Sequence, residues 1–186
     1  MQSAERLRPE QVLEDYFRAK DGNRPHLLAG VFAPDATLEV HNQSSSISFP
    51  AITHGSEAIA NVLVRRFTQT YENIYSFYLA RPPAAAAKFD CPWLVGMSEK
   101  ASGLPRVGCG RYAWTFQDAE RGLASTLVIS IDAMEVLPQA DALAVFAWLE
   151  RLNYPWASAE TVKSLAPPVP ALEPVLACLG RGSGAG

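Results

Sequence analysis

Cysteine is scarce in this chain: three residues in 186, at Cys91, Cys109 and Cys178. An odd and sparse set excludes a disulfide framework and fits a reducing compartment such as the cytoplasm. No C-x-x-C or H-x-x-x-H spacing occurs, so no zinc or other metal site is expected. Basic charge is not in excess either. Sixteen Lys and Arg stand against 19 Asp and Glu, for a net charge of −3, which leaves no global positive field to attract nucleic acid. The adjacent pair Arg65-Arg66 reads as a solvated helix face. Apolar runs fall far short of the ~20 residues a membrane-spanning helix needs. The opening MQSAERLRPEQ is too polar for a secretory leader. Phosphate loops, dinucleotide fingerprints and Ser/His/Asp motifs are missing, and VGCG at 107–110 is too short to count as one. No cofactor, nucleic acid or membrane partner is therefore expected, and a cytoplasmic location is.

What is present suits one globular domain. The chain is 48% hydrophobic and 19% charged, which is the balance of a packed core. Three helices are predicted in the first third. Pro9 and Glu10 open the first, and Val12, Leu13, Tyr16 and Phe17 make its apolar face. Pro25 opens the second, with Leu27, Leu28, Val31 and Phe32 before Pro34. Ser56 caps the third, with Ile59, Leu63 and Phe67 on its buried side. Two strands are predicted between them, at 36–41 and 47–53, the second with Pro50 as an edge or bulge signal. After Gln69 the pattern becomes β: strands at 73–79, 93–98, 106–116 and 124–137, with turns at 102–103, 118–122 and 138–141. The segment 142–154 is read as a last strand hairpinned to the one before, although its Ala and Leu are also strong helix formers.

Helices first and a meander after imply an α+β domain with the helices on one sheet face. Neither face of the strand at 124–137 is polar, so the outer face calls for a cover, most simply a second copy of the chain. Residues 1–156 are expected to form the domain. Residues 157–186 are expected to form a Pro-rich tail, with a short helix around 172–179 and disordered final residues.

The residues from Tyr16 through Phe32, FAPDATLEV (32–40), HGSEAI (54–59) and IDAM (131–134) with the segment after it resemble ketosteroid isomerases and SnoaL-like proteins of the nuclear-transport-factor-2-like superfamily. The resemblance spans about residues 8–153. It implies a cystatin-like cone, with three N-terminal helices packed on a curved, mainly antiparallel sheet of about six strands, enclosing an apolar pocket. It implies little about reaction, because this fold hosts isomerases, dehydratases, cyclases, hydrolases and non-catalytic binders. By this resemblance the isomerases' hydrogen-bonding tyrosine falls on Tyr16, and their protonated aspartic acid falls on Asp132. A developing enolate oxygen needs such donors preplaced in a dry site, and burial is what keeps a carboxyl protonated there. The position of the isomerases' general base falls on Val40, which cannot move a proton.

Other residues complete the candidate set. His41 and Asp90 are the available substitutes for a base. Val40, Trp93, Tyr112 and Trp114 are candidate pocket walls, and His54 is a weaker one, since the HG pair mainly shapes a turn. His26 is expected to be exposed. Cys109, between two glycines and on the same strand face as Arg111, is read chiefly as a small buried hydrophobe. The expected partner is a small hydrophobic molecule, carbonyl-bearing or polycyclic. It is either transformed by cofactor-free acid–base chemistry or held without chemistry.

Overall fold

The computed structural model describes residues 8–117 and 122–181. The predicted turn at 118–122 falls almost entirely outside them, as do the final residues of the tail.

Helix α1 (Pro9–Asp21) starts on proline with Glu10 in its first turn, where the helix dipole favours a carboxylate. Its buried face carries Val12, Leu13, Tyr16, Phe17 and also Lys20. The predicted second helix is a short 3-10 stretch, Pro25–Gly30, confined between Asn23 at positive φ and the start of the sheet. Strand β1 (Phe32–Asn42) begins earlier than predicted. It accommodates Pro34 at an irregularity in its pairing between Phe32 and Thr37. Strand β2 is only Ile52–His54, because Pro50 delays pairing. Gly55 turns the chain at φ 88 into α2 (Ser56–Ala60), a π-helical stretch Asn61–Arg66 and α3 (Phe67–Thr70), which follow one another without a break. Strands β3 (Tyr71–Tyr78), β4 (Lys88–Glu99), β5 (Pro105–Phe116) and β6 (Ala124–Val136) follow.

The six strands form one sheet in the order β2-β1-β6-β5-β4-β3. Only β1 and β6 run parallel; every other pairing is antiparallel. This is the predicted α+β arrangement, with the N-terminal helices on one face.

The segment after Pro138 is not a strand. Residues Gln139–Asp141 form a 3-10 turn that leads into α4 (Ala142–Arg151). Val145, Trp148, Leu149 and Leu152 are its buried positions, a spacing of three, one and three that fits 3.6 residues per turn and not two. Helix propensity and this spacing outweigh the turn signal that suggested a hairpin. Two further helices, α5 (Ala159–Leu165) and α6 (Glu173–Arg181), follow, the last close to where a short helix was predicted.

These C-terminal helices explain the apolar outer face. The inner face joins α1 to α3 in one core. The outer face packs Phe77, Leu94, Val107 and Cys109 against Trp148, Leu149, Val162, Leu172 and Val175 in a second. Gly96 permits the contact, since a Cβ there would lie 2.2 Å from Leu149 Cδ1. Trp148 Nε1 donates to Val162 O at 3.1 Å, tying α4 to α5. The chain itself thus supplies much of the cover assigned to a second copy, over parts of β3 to β6. The uncovered remainder carries polar groups such as Glu39, His41, Arg111 and Ser130. Among the described residues no helix is long and apolar enough to cross a membrane.

Trp148 is 2% exposed. Trp148→Ala is expected to cost about 3–5 kcal/mol, read as a lowered midpoint in urea denaturation. An unchanged midpoint would mean that the outer core does not stabilise the fold.

Candidate functional site

The cone formed by α1, the α2–α3 helical run and the inner sheet face encloses an apolar pocket. Val40 and Ile129 line one side and Val95 and Met97 the other, with Leu63 and Phe67 closing it from the helices. Strand alternation sends these side chains inward. The cavity volume is about 50 Å³. The loop before β2 seats Ile47 and Phe49 on the pocket and is tied down by side chains. Asn42 Nδ2 donates to Ile47 O at 2.6 Å, and Ser46 Oγ donates to Met134 O at 2.6 Å. Arg106 donates to Ser46 O and, at 2.9 Å, to Glu99 Oε1.

Four polar groups reach this apolar space. Tyr16 is 1% exposed and meets Trp114 edge-on at 5.2 Å and Tyr112 edge-on at 6.1 Å. The Tyr16 and Tyr112 hydroxyls share a hydrogen bond, which uses one of their two protons. Burial pushes both phenols well above their ordinary pKa, and the nearby Asp21 charge adds to the effect. They are hydrogen-bond donors, not bases, at neutral pH.

Trp93 is the third group. It stacks on Tyr112 at 5.6 Å, and its buried Nε1–H has no partner among the described residues. Gly110 makes the position possible, because a Cβ there would lie 2.8 Å from Trp93 Cζ2. Trp114 Nε1 is also buried without a partner, but Trp114 packs among Tyr16, Phe32 and Phe116 away from the pocket wall.

The fourth group was not foreseen. Lys20 is 6% exposed and lines the pocket. Its Nζ donates to Asp21 Oδ1 at 2.7 Å and Ser76 Oγ at 2.6 Å, between the rings of Phe17 and Phe67 at 5.5 and 5.1 Å. Asp21 in turn accepts from Ser76 N at 2.9 Å, Ser76 Oγ at 2.8 Å and Tyr154 OH at 3.1 Å. The ion pair is therefore buried and hydrogen-bonded, as such a pair must be. An ammonium has three donors, and two of them are used by these partners. The signal was available: Lys20 lies four residues after Tyr16 and three after Phe17, on the buried face of α1.

The remaining candidates lie elsewhere. Val40 does line the pocket. His41, next to it, is exposed on the opposite sheet face, 3.6 Å from Glu39. His54 is exposed, its Nδ1 3.2 Å from Thr37 Oγ1, and Asp90 is exposed. Asp132 does not join Tyr16. It is exposed on the outer face, whereas Ile131 and Met134 on either side of it line the pocket. Cys109 pairs with Ala133 and Gly110 with Ile131, so Asp132 is the extra residue of a β-bulge. The oxyanion partnership expected of Tyr16 and Asp132 is thus not assembled, because the sheet separates the two side chains. Among the described residues no cluster of three or more His, Cys, Asp or Glu could hold a metal ion.

The tyrosines make a pH prediction. Burial raises the phenols of Tyr16, Tyr78 and Tyr112, so the folded chain keeps protons that the unfolded chain loses near pH 10. Their contribution to stability is complete below about pH 10 and declines as pH rises further. An ultraviolet titration of the native chain should leave these three tyrosines un-ionised until unfolding. Their reversible ionisation in the folded state near pH 10 would contradict the burial described. Lys20→Met is expected to destabilise by about 3–5 kcal/mol, because it strands the Asp21 carboxylate; thermal or urea unfolding measures it.

No protein-family model matches the chain, and no curated protein matches it. Solved structures do. A nuclear-transport-factor-2-like protein from Salmonella enterica is 16% identical, with 67% of this chain and 88% of that one covered at a TM-score of 0.53. A Δ5-3-ketosteroid isomerase from Mycobacterium sp. is 17% identical, over 70% of this chain and 99% of that one, also at 0.53. A protein with a ketosteroid isomerase-like fold from Catenulispora acidiphila, solved with trimethylamine, is 18% identical over 66% and 85%, again at 0.53. The shares of this chain are about what α1 through β6 occupy. At such identities the likeness speaks for architecture alone, and on it the chain has the nuclear-transport-factor-2-like, ketosteroid isomerase-like fold.

Proposed function

We propose that this chain is a ligand-binding pocket protein that holds a small apolar molecule by an oxygen acceptor such as a carbonyl. The supporting observation is an apolar cone whose lining includes four donor-bearing side chains, Trp93, Tyr16, Tyr112 and Lys20, with the Trp93 Nε1–H unpartnered. A buried donor without a partner costs about 1–3 kcal/mol, and a ligand oxygen removes that cost. The apolar walls take up the rest of the ligand.

Acid–base isomerisation has less support. Enolisation needs a base beside the substrate. The residues lining the pocket include no carboxylate and no histidine, and Val40 occupies the position that a base would fill. A polycyclic ligand also exceeds the available room. About 50 Å³ is far below the roughly 300–1,000 Å³ of sites for drug-sized ligands, so a molecule of few heavy atoms fits best.

Thermal-shift titration with cyclobutanone and with methylenecyclobutane tests the reading. The ketone should raise the melting temperature in a concentration-dependent way, and the hydrocarbon should do so less. Trp93→Phe and Tyr112→Phe should each weaken ketone binding roughly tenfold, about 1.4 kcal/mol, and narrow the difference. Equal shifts for both compounds in all proteins would remove the donors from the ligand site. Turnover of a β,γ-unsaturated ketone above the buffer rate would replace binding by catalysis.

A further inference from the structure

Cys109 and Cys178 meet on the outer side of the sheet. Cys109 is fully buried on β5 and faces the C-terminal helices in the second core. Cys178 sits on α6 and is half-buried. Cys178 packs against the core that holds Cys109, and its Sγ donates to Asp132 Oδ2 at 3.8 Å, beside Ala133, the residue paired with Cys109. Cys91 belongs to a different place. Its thiol is in the inner core, on β4, and donates to Pro92 O at 3.0 Å. The sheet therefore sorts the three cysteines into a pair and a single.

A crevice beside the pair reaches solvent. It is lined by Arg111, Gln43, Asp132 and Cys178, with about 350 Å³ open to the centre of a water-sized sphere. Arg111 and Asp132 are both exposed there. We propose that Cys109 and Cys178 are a site of reversible thiol oxidation, closed to a disulfide by a low-molecular-weight disulfide such as oxidised glutathione that enters through this crevice.

The order of attack follows from exposure. Burial, the Cys178 thiol and the Asp132 charge all push the Cys109 thiol up, so Cys109 is the slower nucleophile. Cys178 loses its proton and attacks one sulfur of the oxidant; the oxidant's S–S bond breaks and one glutathione leaves as thiolate. Cys109 then attacks the Cys178 sulfur of the mixed disulfide, and the second glutathione leaves. The two protein protons end on the two glutathione thiols. The protein dithiol is oxidised by two electrons, and the oxidant is reduced by two. The product ties α6 to β5 across 68 intervening positions of chain, a loop long enough for a large entropic effect on the unfolded state.

The test uses the full chain incubated with oxidised glutathione, unfolded in the presence of an alkylating reagent and mapped by peptide mass. The expected result is an alkylated Cys91 and a crosslinked Cys109–Cys178 peptide pair. Reductant should reverse it, and the oxidised form should melt roughly 5–10 °C higher than the reduced form. Cys178→Ala should abolish the crosslink and the shift. Cys109→Ala should stop at a glutathione adduct on Cys178. Alkylation of all three cysteines, a glutathione adduct persisting on Cys178 in the native sequence, or an undiminished melting shift in Cys178→Ala would each overturn the proposal.

Discussion

A twisted sheet with two apolar faces has to be covered twice, and that requirement organises this molecule. Side chains alternate across each strand, so every inward residue has outward neighbours. On β4, Trp93, Val95 and Met97 go into the cone while Leu94 and Gly96 go out. The inner face is closed by α1 to α3 and keeps a small void. The outer face is covered in part by α4 to α6, which reach back over β3 to β6. Leu149 lies directly on Gly96, where any larger residue would hold the helix away. The fold thus holds two cores divided by one layer of backbone.

The same division decides which polar groups can act together. Tyr16, Tyr112, Trp93 and Lys20 come from three separate elements, yet all end on the inner side. Asp132, His41 and Asp90 end on the other. No side-chain rotation carries a group through a hydrogen-bonded sheet. The bulge at Asp132 shows how local this control is. One extra residue lets Ile131 and Met134, three apart, both face inward, with Asp132 and Ala133 left outside between them. The buried Lys20–Asp21 pair follows the same logic in reverse. Its charges are tolerable because Ser76 and Tyr154 complete their hydrogen bonding, and removing either charge would leave the other without compensation.

Much of the fold was legible before any coordinates. The apolar spacing of Val12, Leu13, Tyr16 and Phe17 and the β-rich run after Gln69 both located real elements, because each is encoded by neighbours in sequence; Ser56 marks the start of the third helix but does not cap it, since Gly55 is the N-cap and no side chain caps it. The aromatic stripe named Trp93 and Tyr112 as pocket walls along with Trp114, which lies off the wall, and Val40 came only from the family resemblance. Lys20 was overlooked because charge outweighed position: a lysine on an apolar helix face is legible as buried only if its partner is known, and Ser76 lies 56 residues away. The segment 142–154 was misread because Pro138 and Asp141 signal a turn equally well before a strand or a helix. Its buried spacing becomes unambiguous only against the surface it packs on.

The amino-acid order by itself determined the class of the protein: an α+β domain with an apolar interior and a small net negative charge. Hydrophobic periodicity, capping residues and composition are local properties, and they survive without coordinates. Tertiary structure alone decided that much of the outer face is covered by the chain's own last helices, that Asp132 stands apart from Tyr16, and that Lys20 joins Trp93 in lining the pocket. Those outcomes depend on which residues far apart in sequence come to share one side of a sheet. A single bulge can change that side without leaving any mark in the pattern of residue types.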